Sequence, residues 1–134
     1  MVAADDPIGI ERHAYHTLLT GDPQRALHTV VDALGGQVIH EGRDESVGAD
    51  ATYVFLGDTI LQIAVPDGGA VGPNDTYHSI TWKVADLDRA ADHLESQGVR
   101  IGARTADSLV TDPETSIGVP WGFTTALVPG DPRG

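Results

Sequence analysis

The sequence predicts an α+β fold in which one strand–helix unit occurs twice along the chain. In the second copy, Tyr77–Val84 is rich in β-branched and aromatic residues, which is typical of a strand. Asp86 then offers a helix N-cap, and Gly98 stands where glycine commonly ends a helix. Between them, apolar residues recur at the spacing of one helix face: Leu87, Ala90, Ala91 and Leu94. These signals predict a helix over about Leu87–Gln97.

The same order of signals occurs in the first half of the chain. His13–Thr20 can form a strand, and Asp22 with Pro23 supplies an N-cap followed by proline at the first helical position. Gly35 ends this helix, whose apolar face consists of Leu27, Val30, Val31 and Leu34. Because Asp22 and Asp86 are 64 residues apart, close to half the chain, the pattern indicates an internal duplication.

The segments between the two helices complete each copy. Ala51–Leu56 and Thr59–Val65 are β-rich runs joined by a Gly-Asp dipeptide, which predicts a tight hairpin. Pro66–Thr76 is rich in glycine and proline and predicts a flexible linker between the copies. The last elements are a strand over Trp121–Val128 and a frayed tail over Pro129–Gly134.

Composition and charge exclude several classes of function. Acidic residues outnumber basic ones by 20 to 8, which gives a formal net charge of −12 and argues against a nucleic-acid partner. No apolar run reaches the roughly 20 residues of a membrane span. Because the chain has no cysteine, disulfides and thiolate ligands are absent, which fits a cytoplasmic protein.

The order and spacing of four segments resemble the vicinal-oxygen-chelate superfamily. This group includes glyoxalases, bleomycin-resistance proteins, type I extradiol dioxygenases and methylmalonyl-CoA epimerases. The resemblance implies a single domain over residues 1–134, with module one at about 10–66 and module two at about 77–129. Each module would have the order βαβββ, and together they would form a curved mixed sheet around a funnel with the helices outside. The segments are DPQRALHTVVDALGG, GDTILQIAVP, HSITWKVADLDRAADHLESQGV and DPETSIGVPWGFTTALVP.

The resemblance also implies a metal site in the funnel, because the metal ligands of this superfamily usually come from the first and last strands of each module. By that pattern, His16, Gln62 and His78 would hold a divalent ion such as Ni, Co, Zn, Fe or Mn. The ion would bind two neighbouring substrate oxygens and stabilise an enolate-like charge. Gln62 alternates with Leu61 and Ile63 along its strand, so its side chain is predicted to face the funnel.

The register of the first strand in each module leaves both histidines open. His78 lies one residue too far from its capping aspartate for the family pattern, so Ser79 takes the ligand place unless a β-bulge restores His78. His16 lies one residue too close to its capping aspartate, so Tyr15 takes the place in a gap-free register. His13, on the same face as Tyr15, is a third alternative.

The fourth ligand place holds Ala126, where the superfamily usually has glutamate at the start of a Glu-Leu-Val run. Alanine cannot coordinate a metal, and Thr124 offers only a neutral oxygen. Beyond the three metal ligands, the residues predicted to contact a ligand in the funnel are His13, Tyr15, Ser79, Trp82, Trp121, Phe123 and Thr124.

Two functions are compatible with these residues. The first is a glyoxalase-like enzyme of the lyase, isomerase or dioxygenase type that acts on a small molecule with a divalent metal. The alternative is a metal-free small-molecule binding protein, such as an antibiotic-sequestering resistance protein, whose acidic funnel attracts a cationic ligand. In either case we expect a homodimer, because the sheet edges of the modules need covering.

Overall fold

The computed structural model describes residues 6–69 and 75–133. The first module contains β1 (Ile10–Leu19), α1 (Pro23–Leu27), β2 (Gln37–Asp44), β3 (Ala49–Leu56) and β4 (Thr59–Pro66). The second contains β5 (Thr76–Val84), α2 (Leu87–Ser96), β6 (Ile101–Arg104), β7 (Ser108–Thr111) and β8 (Trp121–Thr124). Short 3-10 turns cover Asp67–Gly69 and Pro113–Thr115. The predicted linker Pro66–Thr76 lies partly outside the described residues.

All eight strands form one curved mixed sheet in the order β2-β3-β4-β1-β5-β8-β7-β6. The first strand of each module is parallel to the last, since β1 pairs with β4 and β5 pairs with β8. The antiparallel pair β1–β5 joins the two modules. The prediction of two βαβββ modules in an α+β fold is confirmed.

Both helices begin at the predicted aspartates. The Asp22 carboxylate accepts a hydrogen bond from the Arg25 backbone N–H, and the Asp86 carboxylate accepts one from that of Arg89. The first helix differs from the expectation after Leu27, because residues His28–Ala33 form a π-helical segment. Neither helix in the described ranges has the length and apolar character needed to cross a membrane.

The helices cover one face of the sheet. Beneath α1 and the π-helical segment, Val30 packs on Val54 and Ile63. Beneath α2, the core contains Val84, Leu87, Ala90, Ala91, Leu109 and Phe123. Trp82 and Trp121 pack against this second core. The structure therefore places the three aromatic residues expected in the funnel wall, Trp82, Trp121 and Phe123, on the helix-covered face instead, because they alternate along β5 and β8 with the inward residues.

The C-terminal residues differ from the prediction, because they are ordered against the first module. The last strand ends at Thr124, where the Ala126 backbone N–H bonds to the Thr124 hydroxyl and the chain leaves the sheet. Val128 is buried in a cluster with Tyr15 and Tyr53. Instead of fraying, the chain from residue 125 to 133 crosses from the second module back to the first.

Candidate ligand-binding site

A cavity of about 260 Å³ lies on the inner face of the sheet and is shared by the two modules. Its lining consists of Tyr15, Arg43, Asp44, Glu45 and Tyr53 from the first module, Thr105, Asp107, Ser108 and Thr124 from the second, and Ala126–Val128 from the chain after β8. The cavity corresponds to the predicted funnel.

Gln62 lies at the centre of the inner face of module one and is fully buried. Its Oε1 atom accepts a hydrogen bond of 2.6 Å from Thr17 Oγ1. Its Nε2 atom donates to Asp44 Oδ2 and to the Tyr53 hydroxyl, both at 2.8 Å. Both ends of this amide are therefore engaged by protein groups, as a buried amide requires.

Asp44 places a carboxylate at the end of β2, beside the cavity. Oδ1 accepts hydrogen bonds from the backbone N–H and the hydroxyl of Ser46, the former at 2.9 Å. Oδ2 accepts from Gln62 and, at 3.4 Å, from the Tyr15 hydroxyl. In the part of the chain that the structure describes, the donors to this carboxylate are all neutral.

The two tyrosines next to Asp44 remain protonated phenols at neutral pH. Burial, with the nearby Asp44 charge, raises the pKa of Tyr53 to about 12. The same two causes raise the pKa of Tyr15 well above its usual value. Their rings meet edge to face, with centroids 5.6 Å apart. Tyr15 and Tyr53 therefore supply hydrogen-bond donors and an aromatic wall, but no phenolate.

In the second module, the inward positions where metal ligands were expected carry hydroxyl side chains or glycine. Ser79 and Thr81 are buried on the inward face of β5. Gly122 of β8 pairs with Thr81 of β5, and a Cβ atom at Gly122 would lie 2.3 Å from Thr81 Oγ1. The Thr81 side chain thus fills the space that a β8 side chain would need.

His16 and His13 form a group apart from Gln62. Thr17 directs its hydroxyl to Gln62, so the adjacent His16 faces the opposite side of β1. There His16 Nδ1 lies 2.7 Å from the Tyr77 hydroxyl. The imidazole ring of His13 lies 4.5 Å from that of His16, between centroids. Burial lowers the pKa of both histidines. Neither one is brought to the centre of the funnel.

His78 lies at an irregularity in β5. Between the pairs Thr17–Ser79 and Leu18–Tyr77 the register shifts by one residue, and His78 is the extra residue of this β-bulge. Its Nδ1 atom lies 2.8 Å from Ser79 Oγ. Burial lowers the pKa of His78, although the charge of Asp44 acts in the opposite direction. His78 thus borders the inner face, while Ser79 takes the regular inward position.

The fourth expected ligand place is also changed by the structure. Ala126 lies beyond the end of β8 and is exposed at the cavity rim. The inward residues of β8 are Gly122 and Thr124, and the Thr124 hydroxyl is bonded to Ser108 Oγ at 2.9 Å. Neither Gly122 nor Thr124 carries a carboxylate.

Sequence reasoning missed several residues of the site, among them Thr17, Asp44 and Tyr53. Asp44 falls in the polar, glycine-containing stretch of residues 41–50, whose composition is typical of a loop, although β2 extends to Asp44. Tyr53 and Ala51 alternate with apolar Val54 on β3, so period-two alternation was the available signal for the inward face. Thr17 carries no such signal, because its role depends on its pairing with Gln62.

These residues do not fit a divalent metal ion. Gln62 is fully buried and its carbonyl oxygen already accepts a hydrogen bond from Thr17, while Tyr15 is a neutral phenol, whereas metal binding favours deprotonated ligands. His16 faces the other side of the strand. Across residues 6–69 and 75–133, no group of three or more His, Asp or Glu side chains is arranged to hold a metal ion.

A protein-family model matches most of the chain. Residues 12–115 match the model of the glyoxalase/bleomycin resistance protein/dioxygenase superfamily. The chain belongs to this superfamily. No curated protein sequence matches the chain.

Solved structures with the same superfamily fold are similar over nearly the whole chain. Methylmalonyl-CoA epimerase from Mycobacterium tuberculosis is 20% identical with a TM-score of 0.76, covering 92% of this chain and 91% of the epimerase. A Streptomyces coelicolor methylmalonyl-CoA epimerase in complex with 2-nitronate-propionyl-CoA is 18% identical with a TM-score of 0.76, covering 90% of this chain and 100% of the epimerase. A hypothetical protein from Bacillus halodurans C-125 is 16% identical with a TM-score of 0.70, covering 84% of this chain and 92% of that protein. At these identities the likeness shows the fold.

Proposed function

We propose that this superfamily member is a small-molecule binding protein that holds an organic cation in the cavity beside Asp44, without a metal. The observation that carries the proposal is the set of donors around Asp44. Ser46, Gln62 and Tyr15 are all neutral, so the negative charge of this half-buried carboxylate is not compensated by them. A partly desolvated charge of this kind gains most from a cationic partner.

Arg43 also lines the cavity, but its guanidinium pairs with Glu45, with Asp67 at 2.6 Å and with Asp50 at 3.3 Å. Its charge is therefore balanced by these three carboxylates and not by Asp44. Glu45 and Asp107 bring the carboxylates of the lining to three. The net charge of −12 would further raise the local concentration of cations around the protein.

The shape of the cavity supports a small aromatic or aliphatic cation. Tyr15 and Tyr53 present edge-to-face rings on one wall, where a cation gains additional attraction from the ring faces. Hydroxyl groups of Ser108 and Thr124 also line the cavity. The cavity therefore offers the Asp44 carboxylate as an anionic anchor, together with aromatic rings and hydroxyl groups.

Three probes of the same size test this proposal: benzamidine, benzyl alcohol and benzoate, which are cationic, neutral and anionic. We expect benzamidine to bind, measured by isothermal titration calorimetry at pH 7.5, and the other two to bind far more weakly. The variant Asp44→Asn should lose about tenfold or more in benzamidine affinity. Asp92→Asn, which removes the same charge from the exposed side of α2, should bind as the wild type does. Equal binding of benzoate, or full affinity in Asp44→Asn, would refute the proposal.

A second candidate is a proton-transfer enzyme in which Asp44 is the base. It is favoured by the same carboxylate together with the phenol of Tyr53, which accepts a hydrogen bond from Gln62 and could donate its own proton to a developing enolate oxygen. The similar solved structures include an epimerase bound to methylmalonyl-CoA, so that compound is the first substrate to test. Deuterium exchange at its α-carbon in D₂O, followed by NMR, should occur in the wild type and in Asp92→Asn but not in Asp44→Asn.

We also propose a homodimer. The support is apolar exposure at the β2 edge of the sheet, where the side chains of Leu34 and Val38 are exposed. The wild type should show a dimeric mass by light scattering at micromolar concentration. Val38→Lys should shift the mass toward the monomer, whereas Gln37→Lys, at the neighbouring exposed position, should not. A monomeric wild type would contradict this assembly.

A further inference from the structure

The chain that follows β8 forms one wall of the cavity. We call residues 125–133 the strap. Ala126, Leu127 and Val128 line the cavity, and Val128 is buried against Tyr15 and Tyr53 of the other module. The strap therefore connects the last strand of module two to the core of module one across the ligand site.

The far end of the strap is fastened by Arg133. Its guanidinium donates to the carbonyl oxygen of Ala14 at 2.6 Å and to that of Asp58 at 3.4 Å. Asp131 holds the same guanidinium at 3.1 Å and lies 3.8 Å from the guanidinium of Arg12. Arg12 also donates to the carbonyl oxygen of Arg133 at 3.2 Å. One cluster of side chains thus ties the strap to β1 and to the β3–β4 turn.

The middle of the strap is held by one buried apolar side chain, that of Val128. The near end of the strap is held where the Thr125 backbone N–H donates to the carbonyl oxygen of Asp107 at 2.9 Å. No strand pairing involves residues 125–133 within the described chain, and the Leu127 side chain is 50% exposed. Segments with few backbone hydrogen bonds and few buried contacts open at a lower free energy than the surrounding sheet.

We infer that the strap is a detachable wall of the cavity, that Arg133 holds it in place, and that the deep lining at Thr124 becomes accessible to small molecules when the strap detaches. The inference goes beyond the proposed function, because it concerns access to the cavity and not what binds there. Arg133 acts as a positioning residue, since it touches the strap and the backbone of module one but not the cavity.

The absence of cysteine from the chain allows a direct test of opening. Thr124→Cys places one thiol on the cavity lining at a position that is 2% exposed. Its reaction rate with the thiol reagent DTNB then measures how often the cavity becomes accessible. We expect Arg133→Ala to raise this rate about tenfold or more, because it removes hydrogen bonds from a charged donor. Asp131→Asn, which weakens the ion pair that holds Arg133, should raise this rate by less.

Two controls separate strap opening from general unfolding. Ala91→Cys places the thiol under α2, at a position that is 1% exposed and remote from the strap. Arg100→Ala removes an arginine that pairs with Asp112 and Glu114 instead. Only the Thr124→Cys thiol should react faster with DTNB, and only when it is combined with Arg133→Ala or Asp131→Asn.

The inference is wrong if Arg133→Ala and Asp131→Asn leave the reaction rate of the Thr124→Cys thiol unchanged. It is equally wrong if they accelerate the Ala91→Cys thiol by the same factor, because the whole domain would then be opening. Since the test uses no ligand, its failure is distinct from failure of the Asp44 proposal.

Discussion

Thr17 Oγ1 donates a 2.6 Å hydrogen bond to Oε1 of Gln62. This bond links β1, which pairs with β5 of module two, to β4 on the inner face of module one. Thr17 and Gln62 are both fully buried. The family resemblance implied that Gln62 binds a metal, but here its oxygen accepts this bond and its amide nitrogen donates to Asp44 and Tyr53.

Thr17→Val should destabilise the protein by about 1–3 kcal/mol, because it leaves the buried Gln62 carbonyl without its donor while preserving the shape of the side chain. Thr17→Ser keeps the hydroxyl and should retain most of that hydrogen-bond energy. Urea unfolding followed by circular dichroism measures both free energies. Equal stability of the valine and serine variants would contradict this role of Thr17.

Gly122→Ala should also be destabilising, by about 1–3 kcal/mol, because its Cβ atom would lie 2.3 Å from Thr81 Oγ1. Thr81→Ala removes that oxygen and should relieve part of the clash. The double variant is therefore expected to lose less stability than the sum of the two single variants, in a double-mutant cycle measured by urea unfolding. Strictly additive losses would show that Thr81 does not limit the space at Gly122.

The helices and the order of the modules were predictable because their signals are local. Asp22 and Asp86 cap their helices as the sequence indicated, since a capping bond spans only three residues. The orientation of a strand residue depends on register, which a single bulge changes. Register shifts occur in β1–β5 beside His13 and beside His78, so the placement of the histidines could not be read from spacing alone.

Asp44 shows a second limit of the sequence. Its neighbours are charged and polar, so nothing local distinguishes it from a solvated loop residue. Its role arises from contacts with Gln62, which is 18 positions away, and Tyr15, which is 29 positions away. Such long-range hydrogen bonds become visible only once the sheet order is known.

Stability should fall as the pH is lowered below about 6.5, because burial lowers the pKa of His13, His16 and His78 from the ordinary histidine value of 6.5. The unfolded chain then binds more protons than the folded one, so the contribution is fully present above pH 6.5 and is lost as the pH falls through the folded pKa values. Urea unfolding between pH 8 and pH 5 measures this slope. The double variant His13→Asn/His16→Asn should have a shallower slope, and a slope equal to that of the wild type would rule out this source.

Ile117 occupies a backbone conformation that suits asparagine or glycine better than a β-branched residue. Its φ is 56°, the following Gly118 has a φ of 76°, and the Val119 backbone N–H bonds to the carbonyl oxygen of Ser116 at 3.3 Å. Two successive positive φ angles define a type I′ turn, in which the left-handed conformation costs an ordinary residue roughly 1–2 kcal/mol. The Ile117 side chain is 87% exposed, so little burial offsets that cost.

Ile117→Asn should therefore stabilise the protein by about 1 kcal/mol, because asparagine adopts this conformation with less strain. Ile117→Val is the matched control, since it keeps the β-branch and should leave the free energy of unfolding unchanged. Thermal and urea unfolding of the wild type and the two variants measure these free energies of unfolding. A loss of stability in Ile117→Asn would mean that the exposed isoleucine makes a favourable contact that outweighs its backbone strain.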